Sequence, residues 1–457
     1  MMSSFLKFGI SCLIFLVFGY PSFAGSWKAG RSAIVITPTQ STWMSGYGSR
    51  DRPSEGKRTE LWCKAVVIED STGRQGVIIT LDLVGIGRKL STGICRKIAE
   101  KHSIQRNQII LNTSHTHTGP IVGGNLNTMY FIDEGNWERV AEYAAFLEGK
   151  VLETVEGAFS DMQPADLSSG FGFETFAVNR RNNRESSVPA LRKQGELNGP
   201  VDYRIPVLKV ANPMGKPIAV IFGYACHATV LSDYLWSGDY PGYAQIELEN
   251  RFDDCVALFM AGCGADVNPL PRRSAELARN YGKRLADAVQ LTLEGVMEPL
   301  DPVLAVSYTE IPLKFHALPD VKQLQEQSES ENRFIAARGK SLLSTLEHQG
   351  KLDDSYPYPI GVWQLGNSVL WITLGGEVVV DYSIKFRKLF GEMTWTSGYS
   401  HDVMAYIPSS RVWKEGGYEG ETAMIYYGLP NKWSSVVEAV ITDKVSQMVD
   451  SIRNSQD

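Results

Sequence analysis

Short β-branched runs alternate along almost the whole sequence with longer stretches in which apolar residues recur three and four apart, and that alternation excludes most all-α and all-β architectures. Residues 33–36, 64–69, 75–81 and 108–113 predict strands bounded by Gly, Asp or Asn, and Asp70-Ser71-Thr72-Gly73 predicts a turn between two of them. Helices are expected over 91–102 and 137–159, strands over 207–211, 218–225, 256–260 and 369–374, and further helices over 240–252, 274–293, 378–389 and 434–452. The fold class is therefore α/β or α+β, taken as α/β (mixed), without internal repeats. Residues 179–199 are polar and predict a long loop, the kind of segment that carries function more often than it links domains. Residues 323–332 are also polar, and the helical stretch around them predicts a solvated face.

With 43% hydrophobic and 21% charged residues, a chain of 457 can bury a sizeable core, so disorder is excluded. A net charge of −6 with no basic stripe argues against nucleic acid as a partner. Lys7, the apolar run Phe8 to Phe18 and the small-x-small site Ser22-Phe23-Ala24 predict a signal peptide over 1–24. The apolar run is too short to span a bilayer, which takes about 20 residues. The expectation is an exported protein, periplasmic or extracellular, with one domain over 25–457 and no transmembrane segment. Cys63, Cys95, Cys226, Cys255 and Cys263 remain after Cys12 leaves. Their spacing fits neither a disulfide scaffold nor a cysteine zinc site. Buried thiols are expected, with a Cys255–Cys263 bridge left open.

Three segments carry residues suited to chemistry. Ser114-His115-Thr116-His117-Thr118-Gly119-Pro120 follows a strand, and histidines two apart on an extended segment point the same way. They fit a metal ligand, a catalytic base or a structural pair. His227, in Cys226-His227-Ala228-Thr229, also follows a strand and fits either a ligand or a backbone-satisfied core histidine. Glu377 ends Leu374-Gly375-Gly376-Glu377 and fits a cleft carboxylate or a helix cap. Just after His227, the Gly-rich turn Ser237 to Tyr243 would let backbone approach a ligand.

Taken in order, these segments with Ala405-Tyr406-Ile407-Pro408, the opening Met44-Ser45-Gly46-Tyr47-Gly48 and Gly417-Tyr418-Glu419-Gly420 resemble the catalytic domain of the neutral/alkaline ceramidases over roughly residues 27–445. The resemblance implies a layered sandwich of central mixed β-sheets flanked by helices. It also implies a zinc ion (Zn2+) held by His115, His227, Glu377 and Tyr406, with His117 contacting substrate or moving a proton, Arg180 near the site and Tyr418 stabilising the oxyanion. The implied activity is hydrolysis of an amide, N-acyl bond in a lipid or small-molecule substrate by metal-activated water.

Two departures bear on substrate. Ala265-Asp266-Val267-Asn268-Pro269 carries Asn268 where the family has an essential serine, and the sequence ends at Asp457 without room for the family's immunoglobulin-like domain. A smaller N-acyl compound therefore stands beside ceramide as substrate. A zinc esterase and a non-catalytic lipid- or glycan-binding protein are the alternative functions, and Asp82 and Asp266 are either supports for ligand histidines or turn carboxylates.

Overall fold

The computed structural model describes residues 27–454, so the expected signal peptide lies outside the described residues. Its largest sheet runs Val256–Ala261, Pro217–Tyr224, Arg204–Ala211, Gln163–Phe173, Trp27–Val35, Trp62–Glu69, Gln75–Leu81 and Ile109–Thr113, with Glu298–Pro299 paired alongside. Pairing is antiparallel through the middle and parallel at both ends, where Gln75–Leu81 meets Ile109–Thr113 and Pro217–Tyr224 meets Val256–Ala261. A second mixed sheet orders Leu304–Lys314, Ser355–Leu365, Val369–Leu374 and Thr394–Ser397.

The two sheets pack face to face. Trp363, Trp371 and Trp395 of the second sheet share one buried cluster with Ile78, Ile110, Ile221 and Leu258 of the first. Trp371 and Trp395 stack with ring centroids 4.1 Å apart, and truncating such a buried Trp costs about 3–5 kcal/mol. Helices close the outer faces. Arg88–His102 and Glu134–Ser160 cover Cys63, Ile79 and Leu111, whereas Asp239–Arg251 and Ala275–Glu294 cover Phe222 and Phe259. Asp381–Phe390 and Val437–Asn454 cover Tyr358, Val362 and Ile372. The expected layered α/β sandwich is present.

Local sequence explains these elements. The helix Glu134–Ser160 starts where Asp133 accepts from the Asn136 backbone N–H, and it buries Val140, Tyr143, Leu147, Val151 and Ala158 at helical spacing. At the predicted turn, the Asp70 carboxylate accepts from the Thr72 and Arg74 N–H groups, fixing the hairpin. All five cysteines of the described residues are free and buried, so Cys255 and Cys263 do not form a bridge. Among the described residues no helix is long and apolar enough to cross a membrane.

One expectation needs correction. Residues 179–199 are not one loop: Ala177–Asn179 is a strand, and Val188–Gln194 is a helix with Pro near its start and Gly195 in the left-handed conformation at its end. The polar side chains that suggested a loop are the outer face of that helix and its flanks. The polar stretch 323–332 is, as expected, a solvated face: it lies largely on the helix Val321–Ser328, capped by Asp320 and burying only Leu324, with a short turn before Arg333–Gln349.

Candidate metal centre

The parallel ends of the first sheet and the strand Val369–Leu374 deliver the functional residues, each just past a strand's carboxyl end, where open α/β sheets place ligands. His115 follows Ile109–Thr113, His227 follows Pro217–Tyr224, and Glu377 follows Val369–Leu374. Asn112 ties these ends together, donating to the Gly398 carbonyl at 2.7 Å and accepting from Ala261 N–H at 2.9 Å. Three segments, the strand Ile109–Thr113, the end of Val256–Ala261 and the turn at Gly398, therefore meet through one buried amide.

His115 and His117 do converge, but not because the segment is extended. His115 has φ of 60°, a left-handed conformation that turns the chain between the two rings. The loop is held by Thr116 and Thr118, whose hydroxyls each donate to the Ser237 carbonyl at 2.7 Å. The Gly-rich turn at 237–243 thus supports the histidine loop rather than a ligand directly. His117 N–H donates to Ala228 O at 3.3 Å and His227 N–H to Val267 O at 3.0 Å, which locks both histidine segments together.

Glu377 is not a helix cap. It sits in the two-residue strand Glu377–Val378, paired in parallel with Tyr406–Ile407 so that Glu377 and Tyr406 are direct register partners. Gly376 makes this possible: its φ is +76°, and a Cβ there would lie 2.6 Å from the Ala405 carbonyl oxygen. A second short ladder pairs Val267–Pro269 with Ala177–Asn179, setting Asn268 opposite Val178 and so beside Arg180.

The polar atoms meet at one point. Glu377 Oε2 lies 3.1 Å from His115 Nε2 and 3.2 Å from His227 Nε2, and the Tyr406 hydroxyl lies 3.5 Å from His227 Nε2. A tetrahedral zinc site with bonds of about 2.1 Å has edges of about 3.4 Å. Glu377 Oε2 is buried yet has no well-formed hydrogen bond, which is the state of a carboxylate oxygen aimed at a cation rather than at a donor. Its other oxygen accepts from the Tyr427 hydroxyl.

Three histidine nitrogens, from His115, His117 and His227, lie within 4.8 Å of one another, a candidate metal site in its own right. Their other nitrogens distinguish them. His115 Nδ1 faces the Val84 carbonyl, and His227 Nδ1 donates to Gly264 O at 2.8 Å, which fixes each Nε2 as the free lone pair. His117 Nδ1 is buried without a partner, while its Nε2 lies 3.1 Å from His115 Nε2. Its ring is partly exposed, unlike the buried His115 and His227. Burial first, then the Arg180 charge, pulls the His227 pKa down to about 4. Burial and the two neighbouring histidines hold His117 well below the usual imidazole value. Both rings are thus neutral near pH 7, as ligand or base chemistry requires.

Arg180 organises the other side. It donates from Nε to Glu419 at 2.7 Å, from Nη1 to Asn268 Oδ1 at 3.2 Å and from Nη2 to the Tyr406 hydroxyl at 3.2 Å. Tyr418 packs its ring edge on Tyr406 at 5.2 Å and is 40% exposed, so its hydroxyl borders the opening. Burial raises its pKa, keeping it a proton donor in hydrogen bonds. Every candidate residue read from the sequence is therefore in one cluster. Asp82 and Asp266 are not supports for the histidines: Asp82 accepts from Trp62 N–H and Asp266 from Val380 N–H and Asn179.

Sequence reading missed Tyr427 and Tyr399. Tyr399 packs against the His115 ring at 4.4 Å, and its buried hydroxyl has no partner. No local pattern marks either one.

With this geometry in hand, likeness to known proteins is informative. The family described as neutral/alkaline non-lysosomal ceramidase, N-terminal, matches residues 27–269. Neutral ceramidase B of Dictyostelium discoideum is 23% identical over 243 residues, half of this chain. The match spans 33% of that relative, so this chain covers about a third of its length. The crystal structure of neutral ceramidase from Pseudomonas aeruginosa superposes with a TM-score of 0.69 at 18% identity, covering 91% of this chain and 72% of that one. A ceramidase structure titled as complexed with C2 gives the same TM-score and identity.

Proposed function

Because this chain belongs to the neutral/alkaline non-lysosomal ceramidase family, we propose that it is a zinc-dependent hydrolase of N-acyl amide bonds, with His115, His227, Glu377 and Tyr406 as the metal ligands. The supporting observation is the meeting of four ligand atoms, His115 Nε2, His227 Nε2, the Tyr406 hydroxyl and a Glu377 carboxylate oxygen that lacks a hydrogen bond, with separations of 3.1–3.5 Å close to a tetrahedral edge. Bound zinc would polarise the acyl carbonyl and make water acidic enough to attack it near neutral pH.

The protein's own residues supply the remaining steps. The Tyr418 hydroxyl donates to the oxygen on which negative charge develops, a contact typically contributing about 3 kcal/mol. His117, neutral and partly exposed, takes a proton from the attacking water and returns it to the leaving nitrogen. Arg180 holds Tyr406 and Asn268 in register, and Asn268 turns its amide toward substrate in place of a serine nucleophile. Direct attack by water is the reading that follows, since an amide is not a nucleophile.

An ester passes through a similar tetrahedral species, so matched N-acyl and O-acyl compounds are the test. Release of fatty acid or acetate from the amide member supports the reading. Release from the ester alone makes the protein an esterase, and tight binding without release makes it a lipid- or glycan-binding protein. We further propose export directed by residues 1–24, which predicts a mature chain that starts near Gly25 when isolated from the periplasm or medium and sequenced from its N-terminus.

A further inference from the structure

Beside the ligand cluster lies a cavity of about 460 Å³, lined by Arg180, Arg181, Arg184, Arg272, Asn268 and Tyr418, with Glu185 and Glu419 also on its wall. Its charges do not balance. Glu419 is shared by Arg180 and Arg181, Arg181 also pairs with Glu415 at 3.0 Å, and Glu185 is shared by Arg272 and Arg273. The Arg184 guanidinium has no partner among the described residues and is exposed. The Asn268 amide nitrogen also lacks a protein partner among them, because its carbonyl oxygen is what Arg180 engages. With Arg180 and Arg181 answered by Glu419 and Glu415, and Arg272 by Glu185, Arg184 is the cation left over on this concave wall, which gives a surplus positive field beside the ligand cluster.

An apolar route leaves the same place. The Tyr418 ring lies 6.1 Å from Tyr426, Tyr426 lies 5.0 Å from Phe334, and Phe334 lies 5.5 Å from Phe131, which is 46% exposed. An aromatic row from the centre to the surface suits an acyl chain, leaving the arginine-lined cavity for the amine portion.

Resting on the hydrolase reading above, we propose that the amine portion of the substrate bears a carboxylate, so that the compound cleaved is an N-acyl amino acid. Arg184 and the Asn268 amide receive that carboxylate, the guanidinium by a charge-assisted hydrogen bond. Water adds to the acyl carbon, the C–N bond breaks, the acyl group leaves as a carboxylate, and the nitrogen takes the proton to leave as a free amino acid. A neutral amino alcohol would gain nothing from the surplus charge.

The test compares N-lauroylglycine with N-lauroylglycinamide, equal in chain and size but different in charge, by kcat/KM and by calorimetric Kd, in the wild type and in Arg184→Gln. The wild type should prefer the carboxylate by about tenfold or more, and Arg184→Gln should bring the ratio of the two compounds close to one. Equal or better handling of the glycinamide by the wild type overturns the inference, as does an unchanged ratio in the variant. If the glycinamide is hydrolysed and N-lauroylglycine is not, the hydrolase reading stands and this inference falls. If neither is hydrolysed, the hydrolase reading falls, and the ratio of Kd values alone upholds or removes the carboxylate site.

Discussion

Arg180 Nη1 donates to the side-chain oxygen of Asn268 at 3.2 Å. By the family resemblance Asn268 takes the place of a serine, and Arg180 also reaches the candidate ligand Tyr406. The amide at this position is therefore oriented by a fixed cation, with its carbonyl spent on protein and its nitrogen left for substrate. Asn268→Ala should lower kcat/KM for N-acyl substrates about tenfold, the value of one hydrogen bond to substrate, while metal content stays that of the wild type. Steady-state kinetics beside elemental analysis check both halves.

Tyr418 touches Tyr406 by its ring edge and keeps its hydroxyl at the opening. Tyr418→Phe preserves that packing and removes only the donor. The expected loss is about 10²-fold in kcat with KM little changed, because the bond forms to charge that exists only as the carbonyl is attacked. A rise in KM at constant kcat would instead assign Tyr418 to substrate binding.

His117 and the metal can be separated. If His115, His227, Glu377 and Tyr406 form the ligand set, His117→Ala keeps bound zinc and loses turnover, whereas loss of zinc would favour the three-histidine site. Gly46→Ala gives a gentler version: at φ of +93°, its new Cβ would lie 2.5 Å from His117 Nδ1. The displaced ring should lower kcat, again with zinc retained.

Burial raises the Asp266 carboxyl pKa to about 6. Unfolded, this group gives up its proton near its ordinary value of about 4. Between those values the folded chain binds more protons, so Asp266 makes stability fall as pH rises from about 4 to 6. Asp266→Asn removes that contribution. Urea midpoints measured across pH 4 to 7 should therefore decline less, or rise more, in the variant than in the wild type.

Much of the fold was legible because its strands are short apolar runs with clear turns. Gln75–Leu81 and Val369–Leu374 match the expected limits, and most helices shift by only a few residues. The missed strands lack that signal. Gln163–Phe173 is rich in Ser and Gly, and Ser355–Leu365 carries Pro357 and Pro359, residues that argue against a strand. Pro357 faces Pro312 two pairs from the end of the ladder, so the two missing N–H groups fall opposite each other. At the site, spacing alone pointed to His115, His117, His227 and Glu377. Tyr406, Tyr418, Arg180 and Asn268 came only through the family resemblance, since they reach the centre by nonlocal ladders such as Glu377 against Tyr406 and Asn268 against Val178. The histidine pair was expected for the wrong reason: a left-handed His115, not an extended strand, brings the rings together.

The most direct test of the account is zinc content per chain in the purified protein and in His227→Ala, with acyl release from an N-acyl substrate measured before chelation, after chelation and after zinc is restored. One zinc per chain, lost in the variant, with turnover that disappears on chelation and returns with zinc, is the predicted result. Full turnover in protein shown to be metal-free would contradict it.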